Sequence, residues 1–181
     1  LCRTEHMFFG EDRIMAFREM ILADSKQARE KALERIFPMQ KKDFKGIFTI
    51  LGNRAATIQL LDPPLHEFLP EESAYETVAK SLEVNVEALR SKIKRLRETN
   101  PMLGQRGCRL AVAYPEIYVM QTKAIIEAAV ELAKTEDLKI VPEILIPFVS
   151  SKEEVVWIAE HVRAAAKEVF EERGLTLEYR L

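Results

Sequence analysis

The side chains best suited to chemistry lie in the segment 100–116, NPMLGQRGCRLAVAYPE. Gly104 and Gly107 flank Arg106, and Arg109 follows two residues after the second glycine. Glycine is used where a backbone must adopt positive φ or approach a ligand closely. A guanidinium is a planar, permanently charged donor that suits carboxylate and phosphate groups. The segment therefore predicts an anion-binding loop. The alternative is a solvated turn with surface arginines, since most arginines are exposed.

Such a loop needs a rigid support on both sides. The run 108–113 is short and β-prone, and it lies between two long helical patterns. We predict a strand at 108–113 and a binding loop at the end of that strand.

The whole chain has the composition of a globular protein. It has 181 residues, a hydrophobic fraction of 48%, a net charge of −2 and a pI near 6.0. This charge argues against a general nucleic-acid or membrane-surface binder. Cys2 and Cys108 lack disulfide or metal-ligand spacing, which predicts reduced thiols and no zinc site. With no signal peptide and no run of eighteen apolar residues, we expect a soluble, cytoplasmic chain, with an organelle left open.

The first third of the chain is predicted to be mostly helical. Apolar residues in 12–23 recur at helical spacing. Ser25 suits the N-cap of a second helix, and Pro38 stands where a third helix could begin. Gly52 suits the C-terminal stop of that third helix.

Three strands are predicted beyond the helical first third. The run 55–61 is β-prone and ends at Asp62, followed by two prolines that stop a strand. The strand at 108–113 is the second, and the apolar run 139–149 predicts a third that is buried on both faces. Alternation with helices predicts an α/β fold with parallel strands. The helical patterns lie at 71–82, 85–98, 115–134 and 151–173.

Both termini read as parts of strands. The opening LCRTEH is typical of the end of a buried strand and the loop that follows it. The closing LTLEYRL is typical of the start of a strand. Because no linker or low-complexity segment interrupts the chain, we predict one domain over 1–181, truncated at both ends.

Three sequence blocks resemble one enzyme family. LCRTEHMFF (1–9), LLDPPLHEFLP (60–70) and NPMLGQRGCRL (100–110) occur in the order seen in the C-terminal phosphoenolpyruvate/pyruvate domain of the pyruvate, phosphate dikinases. AYPEIYVMQTKAI (113–125) and PEILIPFV (142–149) extend the resemblance to the whole chain. Phosphoenolpyruvate synthases and the sugar-phosphotransferase enzyme I share a looser form of this pattern.

The resemblance implies an incomplete (β/α)8 TIM-type barrel with extra helices, whose site lies at the carboxyl ends of the strands. It implies a phosphotransferase that interconverts ATP, pyruvate and phosphate with AMP, phosphoenolpyruvate and diphosphate, and a fragment that is inactive alone. One alternative is a related synthase or an enzyme that phosphorylates a carrier protein. Another is a non-catalytic scaffold or oligomerisation module.

The resemblance also implies roles for particular residues. Arg3 and Arg106 match two arginines that grip the substrate anion, and the structural alternative for Arg3 is an ion pair with Glu5. Gln59 stands where the family has an arginine, in TIRLLDPP, which predicts weakened phosphoenolpyruvate binding. Asp62 and His66, in the loop after the same predicted strand, are further candidates for the substrate pocket.

The family's cofactor is Mg²⁺, but the segments that hold it there are absent from this sequence. Those segments resemble MIEIP and GTNDLTQ, and the family's proton-donating cysteine lies in a CGEHGG-like loop that is also absent. We therefore assign no metal ligand, although Glu143 is one carboxylate near a strand. The partners implied are phosphoenolpyruvate or pyruvate and a phosphohistidine domain. Exposed strand edges of a partial barrel also predict a homo-oligomer.

Overall fold

A small parallel sheet forms the centre of the chain. The computed structural model describes residues 1–97, 100–136 and 138–181. Three strands, β1 (Cys2–Arg3), β2 (Ala56–Gln59) and β3 (Pro142–Leu145), pair in the order β1-β2-β3, and both pairings are parallel. Arg180 adds an isolated parallel bridge to Glu143. The described residues thus form an open α/β sheet whose third strand is shorter than the predicted 139–149.

Seven helices surround this sheet in the described chain. The helices predicted at 12–23, 115–134 and 151–173 are confirmed within one residue at each end. The predicted helix 71–82 is observed as the shorter Tyr75–Ser81. The predicted helix 85–98 is observed as Val86–Leu96, and residue 98 lies outside the described residues. The helices are α1 (Glu11–Leu22), α2 (Lys26–Leu51), α3 (Tyr75–Ser81), α4 (Val86–Leu96), α5 (Gly107–Ala113), α6 (Pro115–Thr135) and α7 (Lys152–Arg173).

The prediction that Pro38 begins a helix is wrong. Pro38 lies inside α2, which is continuous from Lys26 to Leu51. A proline inside a helix removes one backbone hydrogen bond and costs about 3 kcal/mol. Pro38 and Glu34 both face solvent, so water can hydrate the carbonyl freed at Glu34. Burial of the opposite face of α2 offsets this cost.

The prediction of a strand at 108–113 is also wrong, because these residues form α5. Their burial does not alternate, since Cys108 and Ala111 are both buried, as are the residues Gly107 and Leu110. That spacing is helical, and leucine, alanine and arginine are good helix formers. A short apolar run cannot be assigned to strand or helix from its periodicity alone. Tyr114 separates α5 from α6, which begins at Pro115.

The ends of the helices follow the sequence closely. At the start of α7, the Ser151 hydroxyl accepts from the Glu154 amide, and the Glu154 carboxylate accepts from the Ser151 amide. This is a capping box, and Gly174 ends the helix in the left-handed conformation with φ 62°. The helix stop predicted at Gly52 is confirmed at the end of α2, since the Gly52 amide donates to the Phe48 carbonyl.

Two apolar clusters hold the fold together. The larger joins the sheet to α1, α2, α6 and α7, and α6 packs between α2 and α7. A smaller cluster forms where α3 and α4 pack beneath the end of α1. No described helix combines the length and apolarity that a membrane crossing requires. The larger cluster therefore fixes the sheet, and the sheet's carboxyl edge carries the side chains considered next.

Candidate functional site

Arg3 and Gln59 meet at the carboxyl ends of neighbouring strands. Arg3 is the last residue of β1, Gln59 is the last residue of β2, and the two are partners in the parallel register. The Arg3 guanidinium donates from Nη1 to Gln59 Oε1 over 3.3 Å. The Thr4 hydroxyl donates to the Gln59 carbonyl at 3.0 Å. Arg3 thus contacts Gln59, and the alternative pairing with Glu5 is not made among the described residues.

Arg106 reaches the same edge of the sheet through Asp62, three residues after Gln59. Its Nε donates to Asp62 Oδ1 at 2.8 Å, and its Nη2 donates to Asp62 Oδ2 at 3.1 Å. Nη2 also lies 3.2 Å from the Asp62 carbonyl oxygen. The side chains are 15% and 8% exposed, so this two-pronged ion pair is mostly shielded from water.

A close backbone contact brings the Arg106 loop against the end of β3. Gly107 has a φ of 53°, and the next amide, that of Cys108, donates to the Pro147 carbonyl at 3.0 Å. A methyl group at Gly107 would lie 2.5 Å from Phe148 Cβ and 2.9 Å from the Pro147 carbonyl oxygen. Both reasons for a glycine that the sequence suggested, positive φ and close approach, therefore apply at Gly107.

Phe148 is a site residue that the sequence analysis missed. Its ring lies 5.0 Å from the Arg106 guanidinium carbon and 4.8 Å from that of Arg109, which are cation–π distances. Its φ of 64° is rare for a bulky residue. Arg109 donates to the carbonyls of Met102 and Gly104, so it supports the loop. Nothing in the residue types near Phe148 indicated this packing.

Helix α6 fixes the chain between Gln59 and Asp62. The Tyr118 hydroxyl donates to the Leu61 carbonyl at 2.9 Å, and the Leu61 amide donates to Gln121 Oε1 at 2.8 Å. Burial raises the pKa of the Tyr118 hydroxyl well above its usual value, and the nearby Asp62 carboxylate adds to this effect. Tyr118 therefore stays a neutral donor, and the backbone before Asp62 is held on both sides.

Acidic groups surround Arg106. The hydrogen bond that Arg106 donates to Asp62 is the largest cause that raises the pKa of the Arg106 guanidinium; burial opposes this, and the charges of Asp62, Glu5 and Glu67 add to the rise. Glu5 Oε2 and His66 Nδ1 are buried and have no hydrogen-bond partner among the described residues. His66 lies in the single turn Leu65–Glu67 that follows Asp62 along the chain.

The described residues do not fit a magnesium site. No group of three or more His, Cys, Asp or Glu side chains comes close enough to hold a metal ion in the described ranges. Glu143 accepts from the Thr57 hydroxyl at 2.6 Å and from Arg180 at 3.1 Å. The Thr57 hydrogen bond is the main cause that lowers the pKa of the Glu143 carboxyl. Glu143 therefore has a structural role, and we derive no step through a metal.

The remaining polar candidates are structural. Cys108 is fully buried, its thiol lies 2.9 Å from the Phe148 carbonyl, and burial raises its pKa. A thiol with a raised pKa is a poor nucleophile at neutral pH. His161 Nδ1 lies 2.8 Å from the Trp157 carbonyl oxygen one turn earlier in α7. Both cysteines are free thiols, as predicted.

Comparison with known proteins gives one family and a set of close relatives. The family described as "PEP-utilising enzyme, PEP-binding domain" matches residues 1–179. A protein named pyruvate, phosphate dikinase from Clostridium symbiosum is 48% identical over 182 residues, which are 100% of this chain and 21% of the relative.

Two further relatives are also named pyruvate, phosphate dikinase. Pyruvate, phosphate dikinase from Rhizobium meliloti is 48% identical over 99% of this chain and 20% of its own length. The chloroplastic pyruvate, phosphate dikinase 1 from Arabidopsis thaliana is 45% identical over 100% of this chain and 19% of its own length. The chain thus spans about a fifth of the length of these relatives.

Proposed function

Because the chain belongs to the family of PEP-utilising enzymes, in their PEP-binding domain, we propose that the carboxyl edge of its sheet binds phosphoenolpyruvate or pyruvate through Arg3 and Arg106. One observation carries the proposal. Arg3 ends β1, and Arg106 is joined to Asp62 just beyond the end of β2, so neighbouring strands place both guanidinium groups at one edge. The resemblance had implied both residues from positions far apart in the sequence.

The two arginines would divide the recognition of the anion. Arg3 is exposed and has a neutral partner, so its remaining N–H groups can bind a carboxylate. Arg106 meets Asp62 through Nε and Nη2, which leaves Nη1 directed away from the carboxylate, where it lies 3.9 Å from Met102 Sδ. A guanidinium held in this way is oriented before the ligand arrives, and this lowers the entropic cost of binding.

The wider function follows from the relatives named above. We propose that the chain is part of a pyruvate, phosphate dikinase and that its three parallel strands belong to a (β/α)8 barrel. In that protein the arginines would neutralise charge while a phosphoryl group moves between the substrate and a phosphohistidine domain. The 45–48% identity with three dikinases supports this proposal over a synthase or a carrier-protein kinase.

We also propose that the chain associates with a second copy of itself. Strand β1 pairs only with β2 in the described chain, which leaves its other edge open. A groove of about 870 Å³ is lined by residues from β1, α2 and β2 and their flanking segments, which include Leu1, Ile50 and Thr57. Ile50 is 80% exposed there. Unpaired strand edges with apolar surroundings are templates for pairing between chains.

Titration of the chain with phosphoenolpyruvate and with pyruvate tests the binding proposal. Arg3→Ala and Arg106→Ala should each weaken binding by about 10- to 100-fold, because each removes a charge-assisted hydrogen bond worth about 1.5–3 kcal/mol. Arg54→Ala is the matched control, since Arg54 lies before β2 at the opposite end of the strand. Equal affinities for the two site variants and the control would reject the proposal.

A further inference from the structure

We infer that the carboxyl edge of the sheet binds a singly charged 2-oxo carboxylate, such as pyruvate, more tightly than phosphoenolpyruvate. We also infer that Gln59 sets this preference. The inference rests on the proposed function and names the substrate class within it. It follows from how charge is already distributed around Arg3 and Arg106.

Arg106 is largely neutralised before any ligand binds. Asp62 pairs with it through two hydrogen bonds, and Glu5 and Glu67 lie near enough for their charges to raise its pKa. Among the described residues, no carboxylate lies within ion-pair distance of Arg3. The edge therefore offers one guanidinium whose charge is not already compensated by an acidic partner.

Gln59 adds hydrogen-bond donors beside Arg3 without adding charge. Gln59 is 6% exposed, and its Oε1 accepts the hydrogen bond from Arg3. The guanidinium has donors only, so the amide must present oxygen to it, and the two N–H groups of Nε2 remain. In the described chain Nε2 makes no hydrogen bond. A neutral donor beside one guanidinium matches a ligand with a carboxylate and an adjacent carbonyl oxygen.

The two ligands differ in charge as well as in size. Pyruvate carries one carboxylate and a neutral carbonyl, whereas phosphoenolpyruvate adds a phosphate that is largely doubly ionised at neutral pH. A ligand binds more weakly when one of its anionic groups leaves water without gaining a compensating partner. Arg3, Gln59 and the remaining Nη1 of Arg106 together satisfy the groups of pyruvate, but they leave much of the phosphate charge uncompensated. Gln59 is thus the residue that limits the positive charge of the edge.

The test measures both affinities by NMR titration of the isotope-labelled chain, with the Gln59 side-chain amide signal assigned from the spectrum of Gln59→Met. The wild type should bind pyruvate about tenfold more tightly than phosphoenolpyruvate. Gln59→Arg should strengthen phosphoenolpyruvate binding about tenfold and change pyruvate binding less than about threefold. Gln27→Arg adds the same charge on an exposed position of α2 and should change neither affinity.

Three results would overturn the inference, and they are separable from failure of the proposed function. Tighter binding of phosphoenolpyruvate by the wild type would remove the stated preference. An equal gain for both ligands in Gln59→Arg would show that Gln59 does not discriminate. If Gln59→Arg does not fold, unchanged pyruvate affinity in Gln59→Met would overturn the role of the amide, since about a fivefold loss is expected. Binding of neither ligand by the wild type would instead reject the proposed function, and this inference with it.

Discussion

Arg106 and Asp62 form a two-pronged ion pair across 44 residues of sequence, with Nε–Oδ1 and Nη2–Oδ2 distances of 2.8 and 3.1 Å. This pair joins the loop before α5 to the end of β2. It fixes the orientation of a guanidinium that the sequence had marked as an anion ligand, and it also neutralises much of its charge. The same carboxylate therefore both positions Arg106 at the proposed anion-binding edge and reduces its net positive charge.

Removal of that carboxylate should destabilise the chain. We expect Asp62→Ala to lower the free energy of unfolding by about 2–4 kcal/mol, because it leaves a mostly buried guanidinium without its partner. Denaturant unfolding measures the change. Glu30→Ala is the control, since Glu30 meets Lys26 at 3.6 Å on a surface where its side chain is 49% exposed, and its effect should stay within about 0.5 kcal/mol. Equal effects of the two substitutions would contradict the structural role of Asp62.

Gly107 and Gly46 should respond in opposite ways to alanine. Gly107→Ala places a side chain at a φ of 53° against Phe148 and Pro147, and should lower the free energy of unfolding by at least about 2 kcal/mol. Gly46 lies inside α2 with no atom within 4 Å of an added methyl group, so Gly46→Ala should raise the free energy of unfolding by about 0.5–1 kcal/mol. Thermal or denaturant unfolding compares the pair. Tolerance of alanine at Gly107 would mean that the close contact with the end of β3 is not required.

Acid should weaken the contact between α2 and α6. Hydrogen bonds from Lys45 and then Lys41 lower the pKa of the Glu131 carboxyl below its ordinary value of 4.5. A carboxyl whose pKa is lower in the folded state contributes stability above the ordinary pKa and loses it as the pH falls through the folded pKa. As the pH falls from neutral into this acid range, the free energy of unfolding should therefore decrease less for Glu131→Gln than for the wild type.

The control for this pH experiment is Glu30→Gln, which removes one carboxylate from an exposed position of α2. Its stability should fall with pH in parallel with that of the wild type. A Glu131→Gln curve that is also parallel to the wild type would show that the lysine contacts do not contribute to the acid response.

Self-association should depend on the groove beside β1. We expect the wild-type chain to form dimers or larger species in sedimentation experiments. Ile50→Lys should shift the chain toward the monomer, because it places a charge in an apolar contact. Leu103→Lys changes a residue of similar exposure, 77% against 80%, outside the groove lining, and it should leave the distribution unchanged. A monomeric wild type would contradict the proposed association.

The elements with strong local signals were predictable from sequence. The capping box at Ser151 and the stop at Gly174 define α7, because both depend on residues within one helical turn of the helix ends. The order of strands and helices was enough to predict parallel pairing of β1, β2 and β3. Helix α2 continued past Pro38 because burial of its opposite face, which a local proline rule does not include, decided the outcome.

The contacts between residues of the candidate site were harder to predict from the sequence. The sequence identified Arg3, Gln59 and Arg106 as candidates, but the pairs Arg3–Gln59 and Arg106–Asp62 join residues 56 and 44 positions apart. The positive φ of Phe148 and the two hydrogen bonds to the backbone of Leu61 depend on tertiary packing. Local residue types carry no information about such contacts. The run 108–113 was misassigned for a different reason, since the periodicity of a short apolar run does not separate strand from helix.

A crystal structure of the chain with phosphoenolpyruvate or pyruvate bound tests the proposed site most directly. We predict one ligand at the carboxyl edge of β1 and β2, with oxygen atoms about 3 Å from guanidinium nitrogens of both Arg3 and Arg106. A ligand bound elsewhere, or one that contacts neither arginine, would contradict it.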